Sequence, residues 1–430
     1  MVRDTYRLGA LFTAVVVLNL GIGVINTLLA LRASIEGFPD AVIGLVMALY
    51  FLGLVLGAFY SGHLVARVGH IRTFAGLAAV ASAATLAHAL LPYPIAWGAL
   101  RMISGFCMAG IYMVVESWLN EQATSQTRGR YLAIYMTLNL AAQAASQFML
   151  TLSDPAGFEL FSMAAILFSL ALVPVALARI EAPEPTPARR MSVTRLYAIS
   201  PLGTVTCLIA GMTVGAFWGV GPIFARQTGL DEAGIAAFMA SVMFGGLALQ
   251  WAVGWLSDHI DRRLMIGAIC AIAALAALGM SLVPDGRTSL LLPLAFLFGG
   301  MLYPIYSLGV SHVNDFVERG DFVLASSGLL FLYGCGATLG PILAGSAMEA
   351  VGAPGFPFYQ AAILLLLVLV AARRMSARPS IPAEEREASV ALPRTTPLVF
   401  ELDPRTPEEP TDGEDLPADT SAWPSAGASR

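Results

Sequence analysis

The sequence predicts an all-α membrane protein with twelve transmembrane helices in two pseudo-symmetric six-helix halves. Three observations carry that expectation. Of the 430 residues, 57% are hydrophobic and 12% charged, with a mean hydropathy of +0.73; so few charges cannot cover a water-facing surface. The apolar residues fall into twelve runs of the length a helix needs to cross a bilayer, about 20 residues. A short loop after the second run recurs after the eighth, at the offset of 192 that separates Gly62 from Gly254.

In order, the runs are Leu8–Leu31, Ala41–Val65, Ile71–Leu91, Ile95–Leu119, Tyr131–Leu152 and Phe158–Arg179, spans one to six. Spans seven to twelve are Leu202–Arg226, Gly234–Leu256, Leu264–Val283, Ser289–Val313, Phe322–Ala350 and Phe356–Ala372. The first is too long for a cleaved signal peptide, and eleven more follow it. The connections are short and carry Gly, Pro, Asp or Arg, as loops between antiparallel helices do. The organisation expected is an N-terminal half over 1–179, a linker over 180–200 and a C-terminal half over 201–374. A disordered tail over 375–430 completes the chain, because nine prolines and eleven acids there leave no apolar run able to span or to form a core.

Every basic residue is arginine; the chain has no lysine, which excludes Schiff-base and P-loop chemistry. With the N-terminus inside, inner loops and ends hold sixteen arginines, among them Arg67, Arg72, Arg128, Arg130, Arg262 and Arg263. Outer loops hold only Arg32, Arg226 and Arg287. This bias places both termini in the cytoplasm. The tail also explains the net charge of −5: it contributes −6, and the first 374 residues carry 19 arginines against 18 acids.

The two repeated loops read Gly62-His63-Leu64-Val65-Ala66-Arg67-Val68-Gly69-His70-Ile71-Arg72 and Gly254-Trp255-Leu256-Ser257-Asp258-His259-Ile260-Asp261-Arg262-Arg263. They resemble the loop signature of the major facilitator superfamily. Asn26-Thr27, Val114-Val115-Glu116-Ser117, Arg128-Gly129-Arg130, Tyr303-Pro304-Ile305-Tyr306-Ser307 and Tyr333-Gly334 through Gly340-Pro341 resemble its YcaD-like bacterial branch. The resemblance implies spans one, four, seven and ten around a central cavity, and alternating access by rocking halves.

Gly62 and Gly254 are expected to allow a tight turn or close helix approach. Asp258, with Arg262 and Arg263, makes a candidate latch between conformations; the signature's acid is missing at Ala66, so Arg67 and Arg72 form a weakened counterpart. Enforcing topology is the plainer role for all four arginines.

Ionisable groups at membrane depth are costly and therefore point to function. Arg101 and Glu116 lie on one face of span four, with Tyr112 between them, about 22 Å apart along the axis. They cannot pair directly. The resemblance associates the span-four arginine with proton coupling, and Glu116 is the candidate proton carrier. The structural alternatives are an Arg101 that snorkels to the interface and a Glu116 solvated at the helix end.

Further cavity candidates are Asn19 and Asn26 in span one, and Asn139 and Gln143 in span five, with Gln147 on the same stripe. Trp218 in span seven, Gln250 in span eight, and Tyr303 and Tyr306 in span ten complete them. For the amides, interhelical bonding worth about 0.6 kcal/mol each is an equally good account. Span five lacks the glycines and proline of the superfamily's antiporter signature, which weakens a drug–proton antiport reading.

The expected function is secondary active transport of a small organic solute coupled to protons, without enzymatic activity. An uncoupled facilitator or exporter, or a membrane sensor using the acidic tail, are the alternatives; tail deletion separates the sensor, which would lose its output. The expected partners are the bacterial cytoplasmic membrane, the solute and protons, for a monomer without nucleic acid, cofactor or metal.

Overall fold

The computed structural model describes residues 2–177, 190–377, 386 and 388–406, of which 2–7 and 377 by backbone only. Every regular element among them is helical. Spans one to four are Val2–Ile35, Asp40–Val68, His70–Leu90 and Pro94–Gln122; span five, Arg128–Gln147, runs on through a 3-10 turn, Phe148–Leu152. Span six is Glu159–Leu170 followed by Leu172–Leu177. The second half has Pro201–Gln227, Glu232–His259, Arg262–Ser281, Thr288–Leu302 with Pro304–Asn314, Phe322–Val351 and Gly355–Ala377 as spans seven to twelve. Among the described residues, eleven helices are long and apolar enough to cross a membrane. Span five falls short because Arg128, Arg130, Asn139, Gln143 and Gln147 dilute it.

The starts and stops follow local chemistry. Span two ends at Gly69, whose φ of +84° favours glycine. Asp231 and Asp261 cap spans eight and nine, accepting from the N–H of Gly234 (2.8 Å) and of Arg263 (2.9 Å). Asp40 opens span two and Glu232 opens span eight, the same offset of 192 as the loops.

The halves are in close contact at the end remote from the arginine-rich loops. A Cβ on Gly345 of span eleven would lie 2.6 Å from the Asp40 carbonyl of span two, so only glycine lets these backbones approach. Gln227 donates to the Asp40 carboxylate, and the Asp40 N–H to Glu349, both at 2.9 Å. Gly336 and Gly340 face the backbone of span seven at Leu208 and Met212, which gives that glycine run a packing role.

Four details differ from the sequence-based expectation. Gly62 and Gly254 lie inside helices, and a Cβ there would meet nothing closer than Met113 Sδ at 3.9 Å and Ser389 Oγ at 3.7 Å, so neither makes a turn or a close approach; Gly69 is the turn glycine. Span ten is broken at Tyr303, because Pro304 has no N–H to continue the ladder. Within the linker, Ser192 caps a helix over Val193–Ile199 that buries Leu196; residues 178–189 lie outside the described residues.

The fourth difference is the tail. Residues 388–406 pack against the bundle and bury Leu392, Val399, Phe400 and Leu402. The expectation of disorder fails for this stretch, since apolar side chains scattered without period found a surface to bury against. Residues 378–385, 387 and 407–430 lie outside the described residues.

Candidate functional site

A cavity lies between the halves, lined by spans one, two, four, five, seven, eight, ten and eleven. Around the tail segment that enters it, about 210 Å³ remains. Of the residues proposed from sequence, Asn26, Tyr112, Asn139, Gln143, Trp218, Gln250 and Tyr303 line this space. Asn19 and Arg101 stand behind its wall, and Tyr306, off the open space, faces the Arg394 guanidinium of the tail at 5.8 Å.

The first-half wall is a hydrogen-bonded amide network. Tyr112 Oη and Gln143 Nε2 both donate to Asn19 Oδ1, at 2.9 and 2.8 Å. Gln147 accepts from Thr27 at 2.6 Å and donates to the Gly23 carbonyl at 3.2 Å. Asn19 and Gln147 therefore tie spans one, four and five together, while Gln143 joins the network and also faces the cavity.

Arg101 is 2% exposed and does not snorkel. It donates to Asn26 Oδ1 at 2.9 Å, and its guanidinium lies over the Tyr50 ring at 4.3 Å. No ion pair to it is found among the described residues, so ring and amide replace a counter-ion. Asn26 and Tyr50 line the cavity, which puts the Arg101 charge one residue behind its surface.

Glu116, 15 residues along the same helix, is fully buried rather than solvated. Three hydroxyls donate to it: Tyr135 of span five at 2.8 Å, and Thr395 and Thr396 of the tail. The second-half wall opposite is aromatic. Arg394 donates to the Tyr303 carbonyl, and its guanidinium lies 5.0, 5.8 and 5.6 Å from the ring centres of Tyr303, Tyr306 and Tyr333. Leu392 N–H donates to Ser307 Oγ at 3.1 Å.

The two loops are unequal. Arg262 is buried and bridges Asp258 (3.2 Å), Asp315 and the Ser311 carbonyl (2.9 Å). Arg263 pairs with Asp261 at 2.6 Å. Burial pushes the Asp261 carboxyl up, but hydrogen bonds from Arg263 and the nearby charges of Arg263 and Arg386 outweigh it and hold the group below its ordinary range. In the first half, Arg67 and Arg72 are exposed and make no ion pair among the described residues. Asp258 also accepts the Ser389 N–H at 2.8 Å, which ties the latch to the tail.

Sequence reasoning missed Tyr50, Tyr135 and Tyr333 as site residues, and the tail altogether. One signal was present: from Ala388 to Phe400 the sole charge is Arg394, inside an otherwise acid-rich tail. Among the described residues, no group of three or more His, Cys, Asp or Glu could hold a metal.

Two six-helix repeats around a mainly apolar cavity set with a few amides and tyrosines, in a multi-pass membrane protein, define a helical membrane transporter. The superfamily profile described as Major Facilitator Superfamily matches residues 11–305 and 203–407, and the chain belongs to that family. Its similarity to the YcaD-like branch also holds. The chain is 26% identical to an uncharacterised MFS-type transporter YcaD of Escherichia fergusonii, over 79% of this chain and 88% of that one. It is 27% identical to an MFS-type transporter of Enterobacter sp. strain 638, with the same coverage of each. In fold it resembles the nucleoside transporter NupG (TM-score 0.71, 14% identity, 86% of this chain and 98% of that one). It also resembles a bacterial homologue of the lysosomal transporter Spinster, in an inward-facing, occupied conformation (TM-score 0.68, 16% identity, 89% and 98%).

Proposed function

We propose that the protein is a secondary active transporter that moves a small organic solute across the bacterial cytoplasmic membrane by alternating access, coupled to protons. Both termini are cytoplasmic in this reading, so the cavity is entered from the cytoplasm, and the working unit is a monomer. Its partners are the bilayer, the solute and protons; neither nucleic acid nor cofactor takes part.

The observation that carries the reading is Glu116. It is fully buried beside the cavity, held by hydroxyls, with no cation paired to it among the described residues. A carboxylate so placed exchanges its proton when rocking changes its access to water. Arg101 sets a fixed positive field behind the same wall, while the amides of Asn26, Asn139 and Gln143 offer neutral hydrogen bonds to the solute.

The test is flux in liposomes with the full chain, a solute panel, an imposed pH gradient and an internal pH dye. Solute-dependent proton movement that disappears in Glu116→Gln is expected. Gradient-independent flux, or Glu116→Gln and Arg101→Ala variants that couple normally, would overturn the proposed coupling.

A further inference from the structure

The residues that the tail places in the cavity define what the cavity recognises. Arg394 is the sole charge between Ala388 and Phe400, and it is the residue surrounded by Tyr303, Tyr306 and Tyr333. Tyr306 and Tyr333 are themselves 5.1 Å apart at 63°, an edge-to-face pair that presents ring surface to the guanidinium. The Tyr306 hydroxyl is buried, and among the described residues it has no hydrogen-bond partner, so the enclosure has spare polar capacity. Arg190 follows the same chemistry at the cavity edge, over Phe59 and Phe331 at 4.4 and 4.3 Å. The two residues after Arg394, Thr395 and Thr396, donate to the buried Glu116 of the first half.

The segment also spans the halves. It meets Glu116, Asn120 and Arg128 in the first, and Asp258, Tyr303 and Ser307 in the second. A solute and this segment cannot occupy the tyrosine enclosure together, and rocking that changes the separation of the halves must break contacts on one side.

We infer that Tyr303, Tyr306 and Tyr333 form a cation subsite for small organic cations of the guanidinium or amine type, and that Arg394 occupies it as a tethered competitor. This rests on the transporter reading of the same cavity, which it deepens by naming the solute class. A desolvated ring enclosure distinguishes a cation from a neutral isostere by about tenfold in affinity.

The probes are Nα-acetyl-arginine methylamide and its neutral isostere Nα-acetyl-citrulline methylamide, with binding read by thermal shift titration on the purified full chain. Expected in Arg394→Gln is about tenfold tighter binding of the arginine amide than of the citrulline amide, and than the unsubstituted chain achieves. On that background Tyr333→Leu should abolish the preference, whereas Tyr333→Phe, which keeps the ring, should retain it. Equal binding of the two amides by Arg394→Gln would overturn the cation subsite; equal arginine-amide binding with and without Arg394 would overturn the competitor role. Flux of labelled probe into liposomes separates this inference from the reading beneath it. Cation preference without flux keeps the subsite and defeats transport of these cations; flux without cation preference keeps a transporter and defeats the subsite.

Discussion

The two halves descend from one repeated pattern, yet they contribute different chemistry. Around Arg262 the second half has a closed set of charges, with Asp258 and Asp315 both engaged and Asp258 in contact with the tail. The corresponding first-half loop has Ala66 where an acid would stand, and Arg67 and Arg72 face outward. Inside the bundle the contrast reverses: the first half supplies a buried acid and amides, the second supplies rings. A repeat thus fixes backbone architecture, while charge is free to concentrate on one side at each level.

The sharpest way to break that contrast is Arg262→Ala. It removes the guanidinium that bridges Asp258 and the 3%-exposed Asp315 side chain, a loss of about 3–5 kcal/mol for a buried pair. Arg67→Ala, at the repeat-related loop, should stay within about 0.5 kcal/mol. Denaturation of the two variants in detergent compares them; equal losses would show that the loops are equivalent after all.

Next in size is Phe400→Ala. Phe400 is 1% exposed, and truncating a buried phenylalanine costs about 3 kcal/mol or more, here charged to docking of the tail rather than to the bundle. Protease cleavage within 388–406 should therefore accelerate by about a hundredfold, with bundle melting little changed. A bundle that melts equally early would mean the tail is integral to its stability.

Tyr135→Phe removes one of the three hydroxyls on Glu116 and should cost about 1.5–3 kcal/mol, as for a hydrogen bond to a charged group. A melting temperature matching the unsubstituted chain would show that Glu116 is neutral there or that water replaces the phenol.

The smallest effect is at Asp261. Its carboxyl is held below the ordinary range, so it contributes stability above the unfolded-state value, lost as pH falls through the lower folded-state value. Acid titration of melting should show a modest decline below about pH 4, absent in Asp261→Asn. An unchanged acid limb would remove the assignment.

The sequence made much of the fold legible because membranes demand long apolar helices, and arginine placement and the 192-residue offset are linear features. The amide stripe of Asn19, Gln143 and Gln147 was legible for the same reason: helical spacing puts them on one face. Which of them reaches the cavity was not, since Asn19 and Gln143 share a hydrogen bond while only Gln143 faces the space. That depends on where neighbouring helices lie. The tail was missed because composition averages nine prolines and eleven acids over 56 residues, whereas docking depends on Leu392, Arg394, Val399 and Phe400 alone. Tyr333 was visible only as part of a glycine-rich packing motif; its nearness to Arg394 is a tertiary fact.

The insertion of residues 388–406 into the cavity has a quantitative consequence. A segment joined to span twelve by the ten residues 378–387 is present at its site at an effective concentration on the order of millimolar, whatever the concentration of the protein. A free molecule of equal intrinsic affinity would half-displace it only at a comparable concentration. If Arg394 is the competitor inferred above and its own dissociation constant lies below that concentration, the chain carries a threshold: dilute solute meets an occupied cavity, and only abundance, or a stronger grip, displaces the segment.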